Sequence, residues 1–175
     1  MENIMGAADM MRVNIGPNIW AIQTMSEAEA GQIHNDVVHD PNWKHKHGRP
    51  VDAGGGVNVR DIADRTLGNQ INEHARKLAL LVEELYETSI RIRSTYIQQW
   101  DHKHGETAHM PAGGEGWITV TSLENSMAPS AELYFPELGI TYEGVKGRTL
   151  FFPNWYERTV LPVSMSFTTI RTRHS

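Results

Sequence analysis

The chain has no cysteine. Disulfides and thiolate metal sites are therefore excluded, and any metal centre must be built from His, Asp and Glu. It also lacks an apolar run long enough to span a bilayer. The first residues carry Glu2 and Asp9 and have neither the basic start nor the continuous apolar core of a secretory signal. Positive charge is scarce and scattered. Sixteen Lys and Arg stand against 21 Asp and Glu, a formal charge of -5. Phosphate backbones and anionic membranes require clustered cations, so neither nucleic acid nor membrane is an expected partner. A cytoplasmic protein, or a virion component if phage-encoded, is the expectation.

What is present reads as one globular domain over residues 1–175, long enough for a real core, with 39% hydrophobic and 21% charged residues. Four of the eight methionines fall within the first eleven positions. Flexible thioethers adapt to irregular apolar surfaces. The segment 1–12 therefore reads either as a turn packed on its own domain or as an arm, with Met5, Met10 and Met11, that docks on a protein partner.

Val13 to Ile22 is β-branched, broken by Gly16-Pro17, and predicts an edge strand. Ser26 and Glu29 have capping-box spacing at the start of a helix running to Val38, with Ala30, Ile33 and Val37 on one face. Asp40 to Gly56, with its prolines, glycines, His45 and His47, predicts a long mobile loop, and Val57–Val59 a short strand. A second helix is predicted from Asp61 or Asp64 to about Arg91, its stripe marked by Leu67, Ile71, Leu78, Leu81 and Leu85. Beyond Ser94 the pattern becomes strand-like: Tyr96–Trp100, Trp117–Leu123, Glu132–Phe135, Ile140–Tyr142, Thr149–Phe152 and Val160–Arg171. Two helices followed by many short strands imply an α+β domain in which helices buttress a sandwich or barrel. The boundaries are strand and helices over 13–93 with the loop at 40–56, then the β core over 94–175.

Gly147-Arg148-Thr149-Leu150-Phe151-Phe152-Pro153-Asn154-Trp155, followed by Pro162-Val163, resembles the closing half of the double-stranded β-helix of Fe(II)/2-oxoglutarate-dependent oxygenases, in particular their prolyl-hydroxylase-like branch. Thr119–Asn125 and Ala131–Pro136 are similar to the preceding strands. The resemblance implies a jelly-roll-like β-helix with two buttressing helices. It also implies a facial triad of two histidines and a carboxylate, with a basic residue on a late strand to pair with the co-substrate. A His-x-Asp/Glu pair should follow the Tyr96–Trp100 strand, and two placements exist. His104-Gly105-Glu106 has the spacing. His109-Met110-Pro111 lies closer to the Trp117 strand, but Pro111 cannot ligate. The distal histidine should precede Pro162. Arg158 stands there, and a guanidinium cannot bind a metal. Phe167 stands near the position of the co-substrate arginine, with Arg171 and Arg173 further along.

The expectation is accordingly a non-catalytic oxygenase-fold protein without a cofactor. It would act as a structural or interaction subunit, in a homo-oligomer or larger assembly such as a phage virion. The alternative is a working Fe(II)/2-oxoglutarate hydroxylase. It would use His104 and Glu106, with Glu157, His102 or His109 completing the metal site and Arg171 holding the co-substrate. His102, His104 and His109 otherwise read as solvated loop residues, and His34 and His74 as surface or helix-packing residues. His174 is expected in a tail. Trp100, Trp117 and Trp155 read as β-core or barrel-mouth packing, or as walls of a ligand pocket. Gly113–Gly116 lacks the Lys-Ser/Thr of a phosphate loop, and Ser126 and Ser130 have no triad partners.

Overall fold

A computed structural model describes residues 11–44, 55–100, 108–110, 114–124, 132–160 and 167–175. The first 23 residues do not make one broken edge strand. They form a hairpin of β1 (Arg12–Gly16) and β2 (Ile19–Gln23), joined at Pro17-Asn18. Asn18 supplies the left-handed residue of this turn (φ 58°), a conformation Asn tolerates better than most residues. Helix α1 (Glu27–Val38) starts as expected, with Ser26 Oγ accepting from the Glu29 amide at 3.1 Å. The reciprocal half of the capping box is replaced: the Glu29 carboxylate accepts from Gln70 Nε2 instead, tying α1 to the second helix.

Asp40 begins the segment expected to be a mobile loop, yet it is buried. Its carboxylate accepts from the amides of Asn42, Ala63 and Asp64 at 2.9–3.2 Å. Burial works against its charge, but those three donors outweigh it and hold its pKa below the usual value. Two glycines assigned to that loop belong instead to β3 (Gly55–Asn58), and residues 45–54 lie outside the described set. A 3-10 turn (Val59–Asp61) leads into α2 (Arg65–Tyr86), capped by Asp64. Helix α2 ends five residues sooner than its pattern predicts. Glu87 takes the left-handed conformation (φ 50°), and its amide turns back to the Glu83 carbonyl.

The strands that follow are β4 (Ile92–Trp100), β5 (Ala108–Met110), β6 (Trp117–Ser122), β7 (Glu132–Phe135), β8 (Ile140–Glu143), β9 (Arg148–Pro153), β10 (Arg158–Val160) and β11 (Phe167–His174). The span expected as one strand from Val160 to Arg171 is thus two strands in different sheets. A seven-stranded sheet runs β1-β2-β9-β6-β11-β4-β3, and a four-stranded sheet runs β5-β10-β7-β8. All pairings are antiparallel. This is the α+β double-stranded β-helix expected from the sequence.

The larger sheet packs on both faces, most completely over β2, β9 and β6. One face meets the helices: Ile97, Leu123 and Ile170 join Ile33, Val37, Leu67 and Ile71, while Ile22 and Phe151 join Leu78, Leu81 and Val82. The other meets the smaller sheet through Ile19, Ala21, Ile118, Leu150 and Phe152, against Phe135 and Tyr142. Strand alternation divides the two sets.

The helix-facing side also carries a row of buried threonines. His74 Nε2 meets Thr121 Oγ1 at 3.0 Å, and Thr121, Thr149 and Thr24 then join through two 2.7 Å hydroxyl contacts. Lys77 Nζ donates to the Thr24 carbonyl at 2.7 Å. His174 does not lie in a tail. It closes β11, is fully buried, and contacts Thr119 Oγ1 at 3.0 Å.

Burial depresses both imidazoles, His74 to about 3 with help from nearby Lys77, and His174 to about 4. The folded chain therefore keeps them neutral while the unfolded chain takes up protons below about pH 6.5. Stability should be fullest at and above neutrality and should fall as pH drops from about 6.5 towards 4. The expected loss between pH 7 and 5 is about 2 kcal/mol per histidine. Urea unfolding at the two pH values measures it, and His174→Gln should remove about half of the pH dependence.

Candidate functional site at the barrel interior

The interior between the sheets is where the oxygenase resemblance requires its chemistry. Strand β10 lies between β5 and β7, with Arg158 opposite Met110 and Thr159 opposite His109. Of the two His-x-x placements, it is therefore His109-Met110-Pro111 whose strand pairs with β10. His102, His104 and Glu106 lie outside the described residues, as does Pro111. Among the described residues, no three His, Asp or Glu side chains converge as a metal site.

Arg158 opens β10 and is only 6% exposed. Its guanidinium folds back onto the turn that precedes it. Nη1 donates to the carbonyls of Asn154 at 3.0 Å and Tyr156 at 3.1 Å, with longer contacts of 3.5 Å from Nη1 and Nη2 to Asn154 Oδ1. The guanidinium carbon sits 5.3 Å from the centre of the Phe152 ring, within cation–π range. Burial, and then the nearby charge of Arg171, push its pKa down to about 10. It remains cationic at neutral pH, and every nitrogen is a donor. A guanidinium in this state cannot itself be a metal ligand. The side chain occupying the position expected of an imidazole repels a divalent cation and is already committed to the turn.

Arg171 lies on β11, in register with Val120 and Tyr96. It belongs to the alternate set opposite the helix-facing Ile170 and Thr172, on the side of the sheet that faces away from the helices. Glu157 directly precedes Arg158 in the β9–β10 turn. Met11 is 73% exposed, while Met5 and Met10 lie outside the described residues.

Trp117 and Trp155 do not line this interior. Trp117 packs with the end of α2 on the helix-facing side, and Trp155 projects from the β9–β10 turn, 46% exposed. An open groove of about 980 Å³ runs along β3 and the start of α2, past Lys44, Arg60 and Arg65, away from β10. No sequence signal marked the closure of Arg158 on its own turn, because the acceptors are backbone carbonyls that every residue possesses.

No protein-family model and no curated protein matches the chain. Solved structures do match. A viral collagen prolyl hydroxylase from Paramecium Bursaria Chlorella virus-1 superposes with a TM-score of 0.65 at 12% identity, covering 91% of this chain and 96% of that one. A prolyl-4-hydroxylase from Pseudomonas putida gives 0.65 at 12% identity, with 90% and 91% covered. An oxidoreductase of the 2OG-Fe(II) oxygenase family from Burkholderia pseudomallei gives 0.68 at 11% identity, with 90% and 85% covered. The chain therefore has the double-stranded β-helix fold of the Fe(II)/2-oxoglutarate oxygenases, with an arginine built into the turn that opens β10.

Proposed function

We propose that this chain is a non-catalytic protein on an oxygenase scaffold, acting as a structural or interaction subunit of a larger assembly. One observation carries the reading: the buried guanidinium of Arg158, bonded to the Asn154 and Tyr156 carbonyls at the position expected of the distal metal ligand. A facial triad must leave positions open for co-substrate and oxygen. A fixed cation at that point opposes both the metal and its third ligand. The Pro111 of the His109-Met110-Pro111 run, which offers no carboxylate, supports the same reading. On this view the Met-rich segment 1–12 docks on a protein partner, a second copy or a different subunit, and a virion is one such assembly.

A second reading is favoured by the comparisons, since the solved neighbours named above are oxygenases at about the same coverage. On it, the chain is an Fe(II)/2-oxoglutarate hydroxylase whose His104 and Glu106 recruit an unusual third ligand, with Arg171 on the co-substrate.

Iron content after anaerobic loading, together with succinate formation from 2-oxoglutarate, separates the two. The non-catalytic reading expects sub-stoichiometric iron and no succinate. Stoichiometric iron with turnover, lost in His104→Ala, establishes the hydroxylase instead.

The turn itself gives a further expectation. Arg158→Ala leaves two backbone carbonyls without their donor and should destabilise the fold by about 2–3 kcal/mol in chemical denaturation. A merely exposed arginine would change stability by less than about 0.5 kcal/mol. The assembly role predicts that deleting residues 1–12 lowers the number of copies per particle measured by light scattering. A strict monomer with and without that segment speaks against it.

A further inference from the structure

A second concavity lies on the opposite side of the larger sheet from the barrel interior. It encloses about 340 Å³ between the β1–β2 turn, the end of α2 and the β9–β10 turn, and is lined by Asn18, Leu85, Tyr86, Glu87, Trp117, Pro153 and Trp155. Three aromatic rings define it. Tyr86 stacks on Trp117 with centroids 5.4 Å apart, and Trp155 meets Trp117 nearly edge-on at 6.0 Å and 67°. The two indoles thus form a corner. Glu87 is the one acidic residue of the lining, and no lysine or arginine is among the lining residues.

The walls are held in place. Tyr86 Oη donates to the Asn18 carbonyl at 2.7 Å, and Tyr156 Oη donates to the Pro17 carbonyl at 2.7 Å. These two phenols tie the hairpin turn to α2 on one side and to the β9–β10 turn on the other. Burial raises the Tyr86 pKa well above its ordinary value, so the hydroxyl remains a donor. The backbone is also strained here. Among the described residues, the two non-glycine residues with positive φ are Asn18 and Glu87, and both line this cleft. Such residues gather where the surrounding structure overrides local preference, as at ligand clamps.

The geometry points to this cleft as a binding site for an organic cation with an apolar shell, of the quaternary-ammonium or alkylated-lysine type. The electron-rich faces of indole and phenol attract such a cation, whose alkyl shell makes its desolvation less costly than that of a bare ammonium. The corner between Trp117 and Trp155 presents two rings to one ligand, and the Glu87 carboxylate adds a charge partner. An anionic ligand meets a carboxylate and no base. A neutral apolar ligand would leave Glu87 without a role. This site does not depend on whether the barrel interior holds iron.

The test is a titration of the full chain, read by tryptophan fluorescence and calorimetry. Choline and an acetylated trimethyl-lysine amide are the cationic probes, with 3,3-dimethylbutanol as the neutral isostere. Saturable binding of at least one cation, about tenfold tighter than the isostere, is expected. The tighter of the two cations distinguishes a small-molecule ligand from a modified side chain on a partner protein. Trp155→Ala and Glu87→Gln should each weaken binding by about tenfold, Glu87→Gln with unchanged thermal unfolding. Glu87→Gly should raise the melting temperature, because glycine relieves the left-handed strain at the end of α2, and should weaken binding at the same time. Equal affinity for the neutral isostere, no response to either cation at millimolar concentration, or undiminished binding in Glu87→Gly overturns the assignment.

Discussion

The structure rests on a seven-stranded sheet that must satisfy two different neighbours at once. Its strands β2, β9 and β6 are covered on both faces, so consecutive residues belong to different environments. On β11, Ile170 packs with α1 and α2 while Arg171 belongs to the barrel side. On β6, Thr119 and Thr121 face the helices while Ile118 packs against Phe135 and Phe152. On β9, Phe151 lies under α2 and Leu150 and Phe152 lie in the barrel. A slip of one residue in any of these pairings would exchange the helix core for the barrel core, and polar atoms would lose every partner. The threonines make the penalty concrete. Thr24, Thr149, Thr121 and His74 form one connected set across three strands' worth of sheet and a helix, and its 2.7 Å contacts exist only in this register.

That double burial explains which parts of the fold were legible from the chain. Helix α1 and the stripe of α2 follow the 3.6-residue period because each buries a single face against the sheet. The short strands announce themselves through β-branched and aromatic residues between glycine and proline turns. What escaped the pattern were the places where backbone atoms, not side-chain hydrophobicity, decide. Helix α2 stops at Glu87 because that residue turns left-handed and the Thr88 amide then returns to the Glu83 carbonyl at 3.2 Å, although Ile90 continues the apolar rhythm. Asp40 organises what reads as loop because three backbone amides converge on its carboxylate. His174 sits at the end of the sequence, and nothing local signals that β11 carries it into the core beside Thr119.

The candidate site was legible in part, for the same reason. The identity of the residue at the start of β10 can be read directly, and so can its inability to bind a metal. Its actual occupation cannot, since Arg158 engages the carbonyls of Asn154 and Tyr156. Nor does the sequence select between His104 and His109. The structure places His109 on β5 opposite Thr159 of β10, while His104 lies outside the described residues.

Arg158 also connects the two sides of the molecule. A metal-binding imidazole at that position would direct its lone pair into the barrel and leave the carbonyls of the preceding turn to find other donors. The guanidinium instead reaches back and fixes Asn154 and Tyr156, the residues flanking Trp155. Tyr156 is further anchored by its hydroxyl on the Pro17 carbonyl and by its edge contact with Phe135. The exposed indole of Trp155 is thereby carried on a turn held from three directions, and its ring is set against Trp117 on the helix side of the sheet. A rigid aromatic wall presented to solvent loses little conformational freedom when a ligand settles on it. The same guanidinium that caps the carbonyls of the β9–β10 turn thus also stiffens the rim of the aromatic cleft on the other face of the sheet.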